Sequence, residues 1–595
     1  MPSLRLSGVL SRCLPSPILV APSRLPATPP HRSSQSLYTA SSGLTQTNRP
    51  VLYSSMVRRG ADTSPSESTP KKRRISDSQP AAMGQTEQVQ TPQLPELQLT
   101  PIESTLKELL LDVAGFIREQ AIAKGGSKDA PQTELRFTGG WVRDKLLGVD
   151  SHDIDVGIST MTGYQYGLAL KEYLDIPEKL DKYKKNHPDG ELSEAIVSLH
   201  KIDANPEKSK HLETATTKIF GLDIDLVNLR KETYSEDSRN PQMEFGTAQE
   251  DAMRRDATIN ALFYNLNESK VEDLTGLGIT DMQNKIIRTP LEPLQTFKDD
   301  PLRILRLIRF ASRLGYHIHE DTEKAMNNDE IGETLKLKIS RERVGTEIHK
   351  MLEGSITHLK ARVYTHRDTG PDPRGALVMI DRTGLYPTIF ANLQDDVRTE
   401  TTTWPLAYNT LEELFHPAAD NSEELKATIN RVRSALIRDE LEAYYAWLIA
   451  AMAPWIDVPD RASKKKPYAP RSVEVARDSL RADNKTNSIL RGASRNWKSI
   501  VCIKSSHIKS DLDGTAAEIR QQIGLHLRSW NKDWRLCLVA AILQEVMQGR
   551  DFSTGMSLKG TITKNKLTHV CLTGSGPRVR LFPHIHSGKW VNRRI

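Results

Sequence analysis

The sequence predicts an α+β fold in which a small mixed/antiparallel β-sheet forms a head and an all-α neck, body and tail follow it. Three observations lead there. The stretch from Phe137 to Ser159, FTGGWVRDKLLGVDSHDIDVGIS, reads as a short strand around Leu135 and Phe137, a turn at Gly139-Gly140, a brief helix from Val142 to Leu147 and a strand from Ile154 to Ile158. Thr214 to Phe220, Gly221, then Leu222 to Leu229 have the form of a hairpin. Ala376 to Ile389 and Glu423 to Ala453 repeat apolar residues at helical spacing and offer no strand.

Bulk properties narrow the class. A chain of 595 residues holds three or four domains and a sizeable core. Cys13, Cys502, Cys537 and Cys571 are scattered without CxxC spacing, which argues against a disulfide scaffold or zinc site and for a reducing compartment. The net charge of +7 suits an anionic partner. The longest apolar run, Ala443 to Trp455, is too short to span a bilayer and contains Pro454, so no membrane partner is expected.

Residues 1–100 read as a disordered leader with targeting segments. From Met1 to Ala61 there is no Asp or Glu, while Arg5, Arg12, Arg24, Arg32, Arg49, Arg58 and Arg59 are spread through Ser, Pro and Leu, the composition of a mitochondrial transit peptide. Pro70-Lys71-Lys72-Arg73-Arg74 reads as a nuclear import patch. Translation from Met56 would delete the first and keep the second. A mitochondrial form is therefore expected, with nuclear or cytoplasmic forms from starts at Met56 or Met83.

The candidate chemistry sits in the opening stretch. Gly139 and Gly140 at a strand-to-helix turn let backbone N–H groups approach a ligand, and a helix N-terminus favours an anion. Arg143, one turn in, reaches for the same anion. Asp153 and Asp155 are one residue apart, which on a strand puts both carboxylates on one face. Two carboxylates beside a phosphate site suit a pair of Mg²⁺ ions, because Mg²⁺ takes one or two protein carboxylates plus phosphate oxygens.

In this order and spacing the residues resemble the signature of the DNA polymerase beta nucleotidyltransferase superfamily. The nearer likeness is to its class II branch, which contains the tRNA CCA-adding enzymes and bacterial poly(A) polymerases. The resemblance implies a nucleotidyltransferase head with Asp153 and Asp155 as catalytic metal ligands. Asp225, on the second hairpin strand with Asp223, is either a third acid beside the metals, as the superfamily pattern implies, or an exposed strand acid. Ahead of the sheet, Leu106, Leu109, Leu110, Val113, Phe116 and Ile117 mark an amphipathic helix over Thr105 to Glu119. The charged segment Leu174 to His211 reads as an inserted helix and loop, and Lys231 to Glu250 as a mobile loop. RRDATINALFYN, Arg254 to Asn265, reads as a helix with Ile259, Leu262 and Phe263 against the core. It resembles the ribose-recognition motif of the branch, which implies that Arg255 and Asp256 contact sugar and phosphates with Asn260 in support.

Beyond Asp273 the branch has a hinge motif, with which Gly276 and Gly278 are compatible. In FKDDPLRILRLIRFASRLGY, Asp300 and Pro301 form an N-cap and N1 pair. Arg303, Arg306, Arg309 and Arg313 crowd one side of that helix, and such charges repel unless something anionic lies over them. The resemblance places a base-selecting acid and arginine at Asp300 and Arg303, with Asp299 open as an alternative or partner of Asp300. Cytosine and adenine both present an amino donor beside an unprotonated ring nitrogen, so a carboxylate and a guanidinium fit both. Uracil and guanine present the reverse pattern. Ser340 to Ile348 starts a further helix, resembles the last motif of the branch and is assigned a bracing role.

In the helical remainder, Lys464-Lys465-Lys466-Pro467 reads as a basic loop, and Arg471 to Trp497 either grips a phosphodiester backbone or forms a solvated helix face. Leu536 to Val546 reads as a buried helix, and after Pro577 the chain departs from the helical tail expected of the branch. The expected organisation is a leader over 1–100, the head over 101–273, the neck with its base-recognition helix over 274–355, the body over 356–460 and a tRNA-binding tail over 461–595. The expected activity is addition of CCA to the tRNA 3′ end from CTP and ATP with Mg²⁺ and no obligate protein partner. Nucleotide-binding residues are Gly139, Gly140, Arg143, Arg255, Asp256, Asn260, Asp300, Arg303, Arg306 and Arg309. A poly(A)-adding or CC-only enzyme of the same class and a non-enzymatic RNA-binding module are the alternatives.

Overall fold

The structure, a computed structural model, describes residues 95–127, 132–184, 196–202, 214–235, 238–353, 372–462, 467–509, 516–530 and 532–549. The arginine-rich leader with Met56 and Met83, the basic run at 70–74, Lys464 to Lys466 and the end beyond Pro577 lie outside the described residues.

The head opens with α1 (Pro101–Ala123), started by a capping box in which the Thr100 hydroxyl takes the Glu103 N–H and Glu103 takes the Thr100 N–H. There follow β1 (Leu135–Thr138), α2 (Gly140–Leu146), β2 (Asp153–Ile158), α3 (Gly163–Leu174), α4 (Pro177–Lys184), β3 (Ile196–Ile202), β4 (Thr214–Ile219), β5 (Leu222–Asn228), β6 (Arg230–Ser235), β7 (Ser238–Phe245), α5 (Ala248–Met253), β8 (Leu262–Asn265) and β9 (Lys270–Asp273). Seven of these strands form one sheet in the order β3-β4-β5-β2-β1-β8-β9. Only β2 and β5 run parallel, with Asp153 beside Asp223 and Asp155 beside Asp225. The β4–β5 hairpin turns on Phe220 and Gly221, both at positive φ (52° and 80°), as the tightest hairpin turn requires. Leu106, Leu109, Leu110 and Val113 of α1, with Tyr166 and Leu170 of α3, close one face of the sheet over Phe137, Ile154 and Val156.

Three expectations for the head are corrected. Arg254 to Asn265 is not one helix: Arg254 ends α5, Thr258 to Asn260 make a single 3₁₀ turn, and Leu262 to Asn265 are β8. The second edge of β1 needs a hydrogen-bonding partner, and β8 supplies it. Ile259, Leu262 and Phe263 are nonetheless fully buried. Lys231 to Glu250 is not an irregular loop, because β6 and β7 pair antiparallel and α5 begins on a Thr247–Glu250 capping box. Its strands carry charge and polarity where alternation of apolar residues would have marked them. Within Leu174 to His211 the helix α4 is present, but β3 is an added edge strand.

After the head come α6 (Gly278–Gln283), α7 (Pro293–Asp299), α8 (Leu302–Leu314), α9 (Glu320–Met326), α10 (Asp329–Lys338), α11 (Arg341–Leu352), α12 (Pro373–Arg382), α13 (Tyr386–Ile389), α14 (Trp404–Phe415), α15 (Glu423–Leu436), α16 (Glu440–Ile456), α17 (Arg471–Leu480), α18 (Asn484–Lys509), α19 (Ala516–Ser529) and α20 (Trp534–Met547). One continuous hydrophobic core runs from Ile259 through Ile308, Trp404 and Ile449 to Leu543. The cap of α8 lies one residue later than expected: Pro301 is the N-cap, while the Asp300 carboxylate still accepts the Leu302 N–H at 3.1 Å. Trp497 is 3% exposed and belongs to the core, and Arg471 is buried against Asp395 and Glu474. Neither faces solvent, and the arginines that the segment between them exposes are Arg477, Arg481, Arg491 and Arg495. No described helix is long and apolar enough to cross a membrane.

Pro454 inside α16 shows how the helical part is held. Proline has no N–H, so the Ala450 carbonyl four residues earlier loses its helical donor. The Trp404 indole N–H fills that place at 2.8 Å, the Tyr386 hydroxyl donates to Ala451 O at 3.0 Å, and the Gln544 amide donates to Ala453 O at 2.7 Å. Three distant helices are thus fastened to one bend. Trp404→Phe is expected to lower the unfolding free energy by about 2–4 kcal/mol, an unpaired buried carbonyl plus a smaller ring. Adding Pro454→Ala should recover part of the loss by returning a donor to Ala450, a non-additivity that urea midpoints measure.

Candidate active site

A cavity of about 560 Å³ opens between the sheet of the head and the N-terminal half of α8. Asp155 and all ten residues expected to bind nucleotide line it: Gly139, Gly140, Arg143, Arg255, Asp256, Asn260, Asp300, Arg303, Arg306 and Arg309. The volume is that of a small-ligand site. Asp153 and Asp225 are not among its described lining residues. Asp153 is exposed at the start of β2, on the same face as Asp155, and Asp225 accepts a hydrogen bond from the Thr216 hydroxyl at 2.7 Å.

The glycine turn is built for close approach. Gly139 has φ +72°, and a Cβ there would stand 2.8 Å from Nη1 of Arg255. From α2, Arg143 donates through Nη1 to Asn260 Oδ1 and through Nε to Asp144 Oδ1 at 2.8 Å. Asn260 passes the link on, its amide donating to Asp256 Oδ1 at 3.0 Å, and Arg306 donates from Nε to Asp256 Oδ2 at 2.7 Å. One polar chain therefore joins α2 of the head to α8 of the neck. Burial pushes the Asp256 carboxyl up, but Arg306, the Asn260 bond and Arg303 hold it well below the usual carboxylate range.

The arginine stripe of α8 is answered mainly by the protein's own acids. Arg306 pairs with Asp256, Arg309 donates to Glu347 of α11 at 2.7 Å, and Arg303 lies 3.7 Å from Glu232 of β6. The aromatic face of Phe310 supports three guanidinium groups, with Arg309 at 4.3 Å, Arg306 at 5.5 Å and Arg143 at 5.6 Å from its centroid. Even so, the lining holds eight arginines against four carboxylates, Asp155, Glu232, Asp256 and Asp300. The cleft keeps a surplus of positive charge suited to a polyphosphate.

At the far wall Asp300 lines the cavity and Asp299 does not; Asp299 instead accepts from the Gln295 amide at 2.7 Å. Oδ1 of Asp300 takes the Leu302 N–H, and Oδ2 is 3.7 Å from Nη2 of Arg343. Sequence reasoning missed Glu232, Met243, Arg254 and Arg343 as lining residues. Arg254 stands inside the motif quoted for its neighbour Arg255 and was legible by adjacency. Glu232 reaches the site from a hairpin that no local pattern ties to it, and Arg343 belongs to the stretch Ser340 to Ile348, to which the sequence assigns only a bracing role.

The acids fit a divalent cation. Burial raises the Asp155 carboxyl to about 6; Arg255 opposes the rise, while Asp225, Asp153 and Asp251 add to it. Asp153 is raised as well, by partial burial and by Asp225 and Asp223. A divalent cation beside these carboxylates would relieve that crowding. Among the described residues no group of three or more His, Cys, Asp or Glu forms a ready-made cage.

The crowding has a sign that can be checked. Unfolded, Asp155 titrates near 3.9, so the folded protein binds this proton more tightly and loses that stabilisation as pH rises from about 4 through 6. With each pKa unit worth about 1.4 kcal/mol, Asp155→Asn should stabilise the metal-free protein by about 1–3 kcal/mol at pH 7.5 and leave it unchanged near pH 4. Urea titrations with chelator at the two pH values read this, and a destabilised variant at pH 7.5 contradicts it.

Residues 135–288 match the poly A polymerase head domain family. The chain is 41% identical over 462 residues to nucleotidyltransferase lcsQ of Purpureocillium lilacinum, covering 76% of this chain and 73% of that one. It is 38% identical over 472 residues to the mitochondrial CCA tRNA nucleotidyltransferase of Candida glabrata, covering 76% and 81%. The mitochondrial CCA tRNA nucleotidyltransferase of Saccharomyces cerevisiae is 47% identical over 297 residues, 50% of this chain and 48% of that one. With the Candida enzyme matched at 38% identity over 81% of its length, the chain belongs to the family of CCA tRNA nucleotidyltransferases.

Proposed function

We propose that this chain adds C, C and A to the 3′ end of tRNA from CTP and ATP without a nucleic-acid template. The observation that carries the reading is that a carboxylate of the DxD strand and the Asp300–Arg303 pair line the same positively charged cavity. On this reading the tRNA 3′-oxygen bonds to the α-phosphorus, the α–β bridge breaks, and pyrophosphate leaves.

Asp153 and Asp155 would hold two Mg²⁺ ions, which would supply activation of the hydroxyl and neutralisation of the leaving group. The N–H groups at Gly139 and Gly140 and the fork of Arg143 bind the triphosphate, Arg255 joins them, and Asp256 with Asn260 contacts the sugar. Asp300 accepts from the exocyclic amino group of cytosine or adenine and Arg303 donates to the adjacent ring nitrogen. Uracil or guanine would set a carbonyl against the carboxylate and an N–H against the guanidinium, leaving both desolvated groups unpaired. Arg306 and Arg309 flank the base and phosphates. The head over 101–273 performs the transfer, the neck over 274–355 selects the base, and the body (356–460) and tail (461–595) carry the tRNA. The names of the Candida and Saccharomyces relatives favour a mitochondrial site of action; the basic run at 70–74, kept by a start at Met56, is the sequence ground for a further nuclear or cytoplasmic form.

Incubation with labelled CTP or ATP, Mg²⁺ and tRNA lacking its terminal CCA tests the reading. Wild type should add three nucleotides and stop; a long A tract would mean a poly(A)-adding enzyme, arrest after two a CC-only enzyme, and no incorporation an RNA-binding module. Asp153→Ala or Asp155→Ala should cost on the order of 10³-fold or more in turnover, the loss of several kcal/mol of metal-borne stabilisation, with folding retained. Asp300→Ala should instead let UTP and GTP compete, read from product composition with all four nucleotides present.

A further inference from the structure

We infer that Asp251, outside the cavity wall, is the positioning residue that aims Arg255 at the triphosphate. The inference rests on the nucleotide-binding reading of the cleft. Asp251 lies on α5 and is 1% exposed. Its Oδ2 accepts from Nη2 of Arg255 at 2.9 Å and from Nε at 3.1 Å. Its Oδ1 accepts from Nε of Arg254 at 2.9 Å and from the Arg230 backbone N–H at 3.2 Å. Both oxygens are thus committed, and one buried carboxylate fixes two adjacent guanidinium groups that would otherwise repel.

What this achieves for Arg255 is visible at its other end. Held from behind, Arg255 lays Nη1 along the glycine turn, where it donates to the Asn260 carbonyl at 3.1 Å. The guanidinium rests on the Phe263 ring, 5.0 Å from its centroid. An arginine side chain has several rotatable bonds, and Asp251 supplies a two-point charged contact to the guanidinium from outside the cavity lining. Arg254 keeps a second carboxylate partner in Glu232, to which its Nη1 donates at 2.9 Å, so it stays anchored on that side when Asp251 is lost. Asp251 is not among the residues lining the cavity and reaches it through the side chains of Arg255 and Arg254. The triphosphate is common to CTP and ATP, so the effect of losing Asp251 is the same for both and leaves base choice alone.

The test uses the full chain with Asp251→Asn and Asp251→Glu. Expected for Asp251→Asn is a rise in KM for CTP and for ATP of about tenfold or more and in equal proportion, as for a lost charge-assisted contact. Pyrophosphate, titrated calorimetrically with Mg²⁺ in the absence of turnover, should weaken in step, while KM for tRNA and the order C, C, A stay put. Asp251→Glu keeps the charge but moves it by a methylene, and should show the same pattern at smaller size even if Asp251→Asn fails to fold. Nucleotide KM and pyrophosphate affinity within twofold of wild type in a folded variant, or a change confined to one nucleotide or to tRNA, overturns the inference. Absence of incorporation by the wild-type chain would instead overturn the reading on which it rests.

Discussion

Eight guanidinium groups around one cleft are a destabilising arrangement, and the surrounding structure is organised to tolerate it. In water such charges would spread apart; here they are held by carboxylates placed behind or between them. Asp256 takes Arg306, Glu347 takes Arg309, and Glu232 takes Arg254. Buried pairs of this kind contribute little net stability, because the desolvation of both partners offsets their attraction. What they do is fix direction. Each arginine reaches the cavity already oriented, so a bound polyphosphate meets a preorganised set of donors.

The partners come from distant parts of the chain, which makes the cleft a product of tertiary folding. Glu232 is on the β6–β7 hairpin, Asp256 is at the approach to β8, and Glu347 is on α11. Gly345, two residues before Glu347, shows how closely that helix must seat: a Cβ there would fall 2.0 Å from the Leu480 carbonyl oxygen of α17. A displacement of α17 therefore bears on α11, then on Glu347, and through Arg309 on the wall of the site. The continuous core from Ile259 to Leu543 is what holds this sequence of contacts in place.

This division explains which parts were legible in the sequence. The glycine turn, the two aspartates of β2 and the pair three residues apart at Asp300 and Arg303 are local patterns, and their geometry follows from strand and helix periods alone. Glu232 carries no such pattern, and Arg343 and Glu347, though inside the motif-like stretch Ser340 to Ile348, reach the cleft only through packing between elements. The stretch Arg254 to Asn265 misled for a related reason. Ile259, Leu262 and Phe263 are spaced as on a helix face, but the open edge of β1 made a strand the better use of the last four residues. Trp497 misled through composition: an aromatic among basic residues suits RNA, and only burial reveals that it is core.

The Asp300 carboxylate draws these threads together. One of its oxygens is spent on the first N–H of α8, and the other faces Arg343 across 3.7 Å. A carboxylate tied to a helix end cannot rotate to accommodate whichever base edge arrives. That rigidity is what a side-chain substitute for a complementary base needs, because discrimination between an amino group and a carbonyl depends on the acceptor staying where a mismatch leaves it unpaired. On the proposed reading, capping a helix and reading a base are one function of the same geometry: the hydrogen bond that starts α8 also orients Asp300, and Arg303 follows in the first turn of that helix.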